Sequence, residues 1–124
     1  MNDNYRESAL WNDKPESWKD VMPGVKRRVV SHSPTGMLVY YEIKAGTIFP
    51  SHDHPHAQFG MVLQGEGSFK VGDKTWNMKK GDGYFIPPGV THELKTLGSE
   101  TFIVMDFFTP ERADFLNEVK TPDE

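Results

Sequence analysis

Four of the five histidines in this sequence lie in two short segments, at positions 52, 54, 56 and 92. His52 and His54 are two residues apart, so on a strand their side chains point to the same face, and Gln58 has the same parity. His92 follows a Pro-Pro-Gly turn and can reach the same place from a neighbouring strand. Imidazole nitrogens suit Zn, Ni, Fe, Mn or Cu. The spacing indicates one divalent metal site, although two surface histidines in a loop would give the same His-x-His pattern.

His56 has the parity of His54, which makes it a rival ligand or a donor in the pocket. Pro55 can instead turn the ring of His56 away from the site, as in an ordinary loop. We favour the loop or a supporting role for His56 over direct ligation.

A second candidate for chemistry is the segment from residue 101 to residue 112. It alternates in polarity over 101–108, so one face carries Phe102, Val104, Asp106 and Phe108. If that face is interior, burial raises the pKa of Asp106, which can then act as a general acid or base; if it is exterior, Asp106 is a solvated charge. Arg112 can fork onto a substrate carboxylate, or it can form a surface ion pair with Glu111 or Asp114.

The elements that must position these side chains are short strands. Between residues 37 and 44 apolar and polar residues alternate with a period of two. Gly72-Asp73 separates two further runs, 68–71 and 74–78, and predicts a two-residue hairpin. Turn signals recur every eight to twelve residues or so, which is typical of an all-β sandwich or barrel.

The two ends of the chain differ from this strand pattern. Residues 1–22 are polar, and we expect an irregular arm whose Trp11 and Trp18 clamp onto the barrel or a partner. At the other end Thr109 is suited to cap a short helix that has Pro110 in its first turn. The predicted organisation is an N-terminal arm, 1–24, and a single domain, 25–124, that ends in this helix.

Composition excludes several classes of protein. The chain has 124 residues, 36% of them hydrophobic and 26% charged, which suits one globular domain. With a net charge of −4 and no extended basic cluster, we expect no nucleic-acid partner. No apolar run approaches membrane-spanning length and no signal core is visible, so we expect no membrane partner and a cytoplasmic location. Cysteine is absent, so a metal must use His, carboxylate or amide ligands.

Two segments resemble the paired motifs of the cupin superfamily. The first motif, Gly-x5-His-x-His-x3-Glu-x6-Gly, is matched by Gly46, His52, His54, Gln58 and Gly65. The second, Gly-x5-Pro-x-Gly-x2-His, is matched by Gly81, Pro87, Gly89 and His92. The resemblance implies a jelly-roll β-barrel whose inward ligands to a single divalent metal, Ni, Zn, Mn or Fe, are His52, His54, Gln58 and His92.

Gln58 stands where the first motif has glutamate. Three neutral imidazoles and a neutral amide leave the positive charge of a metal uncompensated, which favours an anionic oxygen ligand such as a substrate carboxylate. Alternatively, Gln58 only forms a hydrogen bond inside the barrel and the metal has three histidine ligands.

The tail from Asp106 to Asp114 resembles the end of the small, KdgF-like cupins of pectin degradation, which read Asp-x-Phe-Ser-Pro-x-Arg-x-Asp. These cupins also have Gln as a ligand, within His-x-His-Pro-His-Glu-Gln, from which Ala57 departs. The resemblance implies an enzyme that opens 4,5-unsaturated uronates to linear 5-keto-4-deoxyuronate in pectin or alginate breakdown. It implies that Asp106 and Arg112 are catalytic, that Phe108 and Arg112 bind the small anionic sugar, and that the protein is a homodimer.

Two other functions suit the same residues. Three histidines and an open coordination position also suit Fe(II), which allows a metal-dependent dioxygenase of the small cupin type. A sugar- or small-acid-binding module without turnover is the other alternative, because a fold does not fix a function.

Overall fold

Residues 8–119 are described by the computed structural model, and they contain ten strands and two short 3₁₀ helices. The strands are β1 (Trp18–Met22), β2 (Val25–Ser33), β3 (Gly36–Ile43), β4 (Ile48–His52), β5 (Ala57–Gln64), β6 (Glu66–Val71), β7 (Lys74–Lys79), β8 (Gly83–Ile86), β9 (His92–Leu97) and β10 (Phe102–Thr109). The 3₁₀ helices are Pro15–Ser17 and Ala113–Glu118, and the second is called the C-terminal turn below.

The strands form two antiparallel sheets. One has six strands in the order β1-β2-β3-β10-β5-β8, and the other has four in the order β4-β9-β6-β7. Strand neighbours are therefore often distant in sequence, as where β10 lies between β3 and β5. The predicted all-β class is confirmed, and so is the hairpin at Gly72-Asp73, which joins β6 to β7.

The core lies between the two sheets. The alternation in β3 buries Met37, Val39, Tyr41 and Ile43. In β10 the face predicted from alternation is interior, with Phe102, Val104, Asp106 and Phe108 all buried. The inner face of the six-stranded sheet therefore carries a carboxylate among apolar side chains.

The prediction of an irregular N-terminal arm was wrong for residues 18–22. These residues form β1, which pairs with β2. The physical reason is that an exposed sheet edge offers unpaired backbone groups, and this segment satisfies them. The expected clamp of the tryptophans is confirmed, since Trp18 packs edge-on against Tyr40 and Trp11 lies 5.5 Å from His32 between ring centroids. Residues 1–7 and 120–124 of the predicted arm and domain lie outside the described residues, and the boundary at residue 24 stays a prediction.

The C-terminal helical segment begins later than the sequence predicts. Thr109 does not cap a helix, because it is the last residue of β10 and pairs with Ala57 of β5. The C-terminal turn has Arg112 at its N-cap and packs its apolar side inward through Phe115. Within residues 8–119, no helix has the length and apolar character needed to cross a membrane.

Candidate active site

Two of the predicted ligands are brought together by strand pairing. His52 ends β4 and His92 begins β9, and the two residues are direct partners across the antiparallel pair. Their ring centroids are 4.3 Å apart. His54 lies beyond the end of β4, so the expectation that one strand carries both His52 and His54 was wrong. A loop, rather than strand parity, carries His54 to the site, where its ring centroid is 5.0 Å from that of His92.

The loop that carries His54 is tied to the turn that precedes His92. The backbone N–H of Gly89 donates to the carbonyl of His54 over 2.9 Å. Gly89 has φ of 76°, in the left-handed region that glycine adopts without steric cost. The Pro-Pro-Gly turn therefore fixes ligands from both motifs at once.

The three histidine rings are oriented in the same way. Each Nδ1 lies 2.8–3.0 Å from a backbone carbonyl, those of Pro50 for His52, His56 for His54 and Val90 for His92. A carbonyl can only accept, so in each neutral ring Nδ1 carries the proton and Nε2 carries a lone pair. This is the arrangement that backbone partners impose on metal-ligating histidines.

The Nε2 side of these rings is suited to a cation. One nitrogen from each of His52, His54 and His92 lies within 4.8 Å of the other two. His92 Nε2 is buried and has no hydrogen-bond partner among the described residues. An unpaired buried acceptor is costly, and a bound metal would satisfy it. The residues present therefore fit a divalent metal with imidazole ligands.

Gln58 lies beside the three histidines, on the inner face of β5. Its Oε1 lies 2.9 Å from Nε2 of His54. Because Nδ1 of that ring already holds its proton, both facing atoms present lone pairs, and both could serve as ligands to a bound metal. The Gln58 side chain also lowers the pKa of Asp106, as an amide N–H turned toward that carboxylate would do.

Burial keeps the rings of His54 and His92 neutral. Desolvation, with smaller contributions from neighbouring cationic groups, lowers the pKa of His92 from 6.5 to about 4. Desolvation also lowers the pKa of His54. Both rings are therefore uncharged at neutral pH, the form in which imidazole binds a metal.

Asp106 is the interior carboxylate of the site. It is 4% exposed, and burial raises its pKa from 3.8 to about 6, while hydrogen bonds from Tyr84 and Gln58 act in the opposite direction. Such a group exchanges protons near neutral pH, as a general acid or base must. The exterior alternative for Asp106 is therefore excluded.

Arg112 combines both arrangements that the sequence allowed. Its Nε and Nη2 bind the carboxylate of Asp114 at 3.0 and 2.7 Å, so it forms the ion pair. It also lines the cavity beside the histidines, with its guanidinium 4.9 Å from the ring centroid of Phe108 and 4.2 Å from that of Phe115. A cation stacked on two aromatic faces at the cavity is placed to bind an anion.

His56 lies apart from the three-histidine group. Its ring does not line the cavity, and its backbone carbonyl accepts the hydrogen bond from His54. This geometry favours the supporting role that we expected over direct ligation. Phe108, which is 1% exposed, stands edge-on to His54 and forms part of the cavity wall.

Sequence reasoning missed Tyr84. Its hydroxyl donates to Oδ1 of Asp106, and its ring lines the cavity. The two residues are 22 positions apart, and no sequence motif links them. Only the order of the strands in the sheet could have revealed the contact.

Comparisons with known proteins agree with this geometry. The cupin domain family matches residues 39–108. The chain belongs to the cupin family. This cupin is 30% identical over 105 residues to the pectin degradation protein KdgF of Dickeya dadantii (strain 3937), covering 84% of this chain and 94% of that protein. The structure of KdgF from Halomonas sp. superposes with a TM-score of 0.80 at 29% identity, covering 89% of this chain and all 100% of that one.

A different activity is also represented among cupins similar to this one. The acireductone dioxygenase of Puccinia graminis f. sp. tritici is 34% identical over 77 residues, which cover 57% of this chain and 42% of that protein. The similarity to KdgF extends over more of both chains. The resemblance to the small KdgF-like cupins, with a jelly-roll barrel and a short C-terminal helical turn, is therefore confirmed.

Proposed function

We propose that this cupin is a metal-dependent enzyme that opens 4,5-unsaturated uronates to linear 5-keto-4-deoxyuronate. The observation that carries the proposal is the meeting of three groups in one cavity: a three-histidine cluster, the buried carboxylate of Asp106 and the guanidinium of Arg112. The extended similarity to a pectin degradation protein supports the substrate class. The proposed product belongs to the breakdown of pectin or alginate.

Arg112 binds the carboxylate of the substrate. Asp114 engages Nε and Nη2 and so fixes the plane of the guanidinium, while Phe108 and Phe115 hold its faces. The remaining N–H groups of Arg112 are donors for the small anionic sugar. Phe108 binds the apolar side of the sugar and excludes water, which strengthens these polar contacts.

Asp106 moves the proton that the reaction requires. It takes the proton of the anomeric hydroxyl as the bond between the anomeric carbon and the ring oxygen breaks and an aldehyde forms. The electron pair of the broken bond passes to the ring oxygen, which becomes an enolate oxygen. Asp106 then returns the proton to the alkene carbon, so the enolate becomes a ketone and no proton is gained or lost. One carboxylate with a pKa of about 6 can perform both transfers at neutral pH.

A divalent transition metal held by His52, His54, His92 and Gln58 would supply Lewis-acid stabilisation for the negative charge that develops on the substrate. We propose one such metal per chain. The buried, unpaired Nε2 of His92 supports this stoichiometry.

The metal site is tested by elemental analysis of His92→Ala and His56→Ala. His92→Ala removes a ligand and should abolish metal binding, whereas His56→Ala keeps the backbone carbonyl that orients His54 and should retain the metal. Full metal occupancy in His92→Ala would contradict the assigned ligand set.

The reaction is tested by ultraviolet absorbance. The alkene of the substrate is conjugated with its carboxylate, and ring opening removes that conjugation. Because the ring also opens spontaneously, metal-loaded enzyme is compared with a blank and with Asp106→Asn, on galacturonate- and mannuronate-derived substrates. We expect the fastest loss of absorbance with wild type, and a much slower loss, still above the blank, with Asp106→Asn, which keeps the metal site and Arg112. A rate equal to the blank on both substrates would overturn the proposal.

A dioxygenase is the second candidate, favoured by the three-histidine cluster and by the similarity to an acireductone dioxygenase. Oxygen consumption in the same assay distinguishes the two, because ring opening consumes none. The cytoplasmic location stays a prediction, which fractionation of cells that produce the native protein would test.

A further inference from the structure

A row of three residues crosses the inner face of the six-stranded sheet. Tyr84 of β8 is paired with Gly60 of β5, and Gly60 is paired with Asp106 of β10. Tyr84 and Asp106 are therefore separated by the width of one strand. The Tyr84 side chain spans that strand, and its hydroxyl donates to Oδ1 of Asp106.

Gly60 makes this crossing possible. A Cβ atom at position 60 would overlap the Cζ, Cε1 and hydroxyl atoms of the Tyr84 ring. The Tyr84 ring therefore occupies the space that a side chain at position 60 would fill. Any residue other than glycine would displace the ring and separate its hydroxyl from Asp106.

The opposite sheet holds the Tyr84 ring from its other side. Phe69 of β6 packs edge-on against it, with ring centroids 5.0 Å apart at an interplanar angle of 86°. Phe69 is 6% exposed, so this support is part of the core. The phenol is thus fixed between the two sheets, and its hydroxyl has one position relative to Asp106.

We propose that Tyr84 is a positioning residue for Asp106, and that Gly60 is required because it admits the Tyr84 ring. The terminal torsion of an aspartate side chain is soft, so an untethered carboxylate rotates. The hydrogen bond from Tyr84 fixes Oδ1 and, with it, the plane in which the carboxylate meets the substrate. Proton transfer needs the acceptor atom within hydrogen-bond reach of the proton, so this tether acts on turnover rather than on substrate binding. The proposal rests on the proposed ring-opening function.

Two substitutions test the row, one at the Tyr84 end and one at Gly60 in the middle. Tyr84→Phe removes only the hydroxyl, and Gly60→Ala displaces the ring that carries it. The matched controls are Tyr40→Phe, a tyrosine on the outer face of the same sheet, and Gly83→Ala, where an added Cβ would make an ordinary 3.5 Å contact. We expect kcat to fall about tenfold or more in both test variants, with KM changed less than about twofold and the metal content unchanged. Both controls should match wild type.

A double-substitution cycle with Asp106→Asn shows whether Tyr84 acts through Asp106. Tyr84→Phe should lower kcat in the wild-type background and have no further effect on Asp106→Asn. An equal loss in both backgrounds, or wild-type kcat in Tyr84→Phe, would overturn the positioning role. A loss of kcat that parallels a loss of metal would also overturn it. If the wild-type rate equals the blank, the proposed function is wrong, and the role of Tyr84 is wrong with it. If wild type is active and Tyr84→Phe has the same kcat, only the role of Tyr84 is wrong.

Discussion

Gln58 contacts two different parts of the site through one side chain. Its amide oxygen lies 2.9 Å from Nε2 of His54, and the same side chain lowers the pKa of Asp106. A glutamate at this position would offer two acceptor oxygens and place a second carboxylate beside the first. The amide therefore lets the proposed metal ligand and the carboxylate proposed to transfer the proton be neighbours without charge repulsion.

Gln58→Glu should tighten metal binding and reduce turnover. The added negative charge attracts the cation, but it also repels both the substrate carboxylate and the ionised form of Asp106. Competition with a chelator measures the first effect, and kcat and KM for an unsaturated uronate measure the second. Gln64→Glu, on the same strand but bonded to the carbonyl of Thr101, is the matched control. Unchanged metal affinity in Gln58→Glu would mean that Gln58 does not contact the metal.

Asp106→Asn should change the pH dependence of stability in the metal-free protein. Burial raises the pKa of Asp106 from 3.8 to about 6, so the folded protein binds this proton more tightly than the unfolded chain does. Asp106 therefore lowers the free energy of unfolding as the pH rises from about 4 to about 6, by about 3 kcal/mol in total. The variant should exceed wild type by up to that amount above pH 6 and match it near pH 4.

Urea denaturation at both pH values measures this difference, and any change due to the histidines cancels because both proteins carry them. Asp20→Asn, on the exposed side of β1, controls for the loss of a surface carboxylate. Equal stability of wild type and Asp106→Asn above pH 6 would show that the buried carboxylate carries no ionisation penalty.

The sequence predicted those site residues whose role depends on local spacing. The spacing of His52, His54 and His92 indicated a metal group. The alternation in β10 placed Asp106 on the face of Phe102, Val104 and Phe108, and the structure shows that this face is interior. Tyr84 and Gly60 could not be found in this way, because their contact depends on which strands are neighbours. Strand order is set by long-range packing that a single sequence does not display.

At the scale of elements, the C-terminal turn is held by a buried ion pair. Arg27 of β2 binds Glu118 through two contacts of 2.9 and 2.6 Å, and the two side chains are only 12% and 10% exposed. The guanidinium of Arg27 stacks 3.7 Å from the ring centroid of Phe115, whose ring also contacts Arg112. The ion pair therefore supports Arg112, the residue proposed to bind the substrate, through the ring of Phe115.

Glu118→Gln should weaken both the turn and substrate binding. Removing one charge leaves Arg27 partly buried and unpaired, at a cost of about 3 kcal/mol in the free energy of unfolding. We expect KM to rise severalfold, with kcat within about twofold of wild type, because Arg112 loses support while Asp106 does not. Glu42→Gln, which breaks the exposed pair with Lys26, should cost less than about 1 kcal/mol and leave KM unchanged. An unchanged KM in Glu118→Gln would show that the stability of the C-terminal turn does not affect substrate binding.

The start of the C-terminal turn shows why sequence signals for helix ends failed here. Thr109 and Pro110 are favourable at the start of a helix, but β10 continues to Thr109 because its partner β5 offers backbone groups as far as Ala57. Tertiary pairing outweighed the local capping preference, which is worth only about 1 kcal/mol.

At the scale of the whole molecule, the outer face of the six-stranded sheet carries an apolar patch on β5, β8 and β10. Phe59, Met61, Phe85 and Phe107 are each 39–50% exposed there, and Phe59 and Phe85 stack with ring centroids 4.9 Å apart. Exposed apolar surfaces of this kind mark sites of association. The homodimer predicted from family resemblance remains a prediction, and this face is a better candidate interface than the N-terminal arm, whose residues 18–22 pair within their own sheet.

Phe59→Lys should convert the predicted dimer to a monomer. A charge at the centre of the apolar face would have to be buried without a partner on association. Analytical ultracentrifugation of wild type and variant measures the change, and Trp76→Lys, an exposed aromatic on the other sheet, is the control. A monomeric wild type, or a variant that remains dimeric, would contradict this interface.

Because the Tyr84 ring fills the space beside Gly60, positions 60 and 84, which are 24 residues apart in the sequence, should evolve together. A protein with alanine or a larger residue at position 60 cannot keep the tyrosine ring at position 84 in this orientation. Among related sequences the two positions should therefore change together, with a small residue at 84 wherever 60 carries a side chain. Mutant libraries that vary one position without the other will be depleted of active members, whereas libraries that vary them jointly can recover other ways of holding the carboxylate.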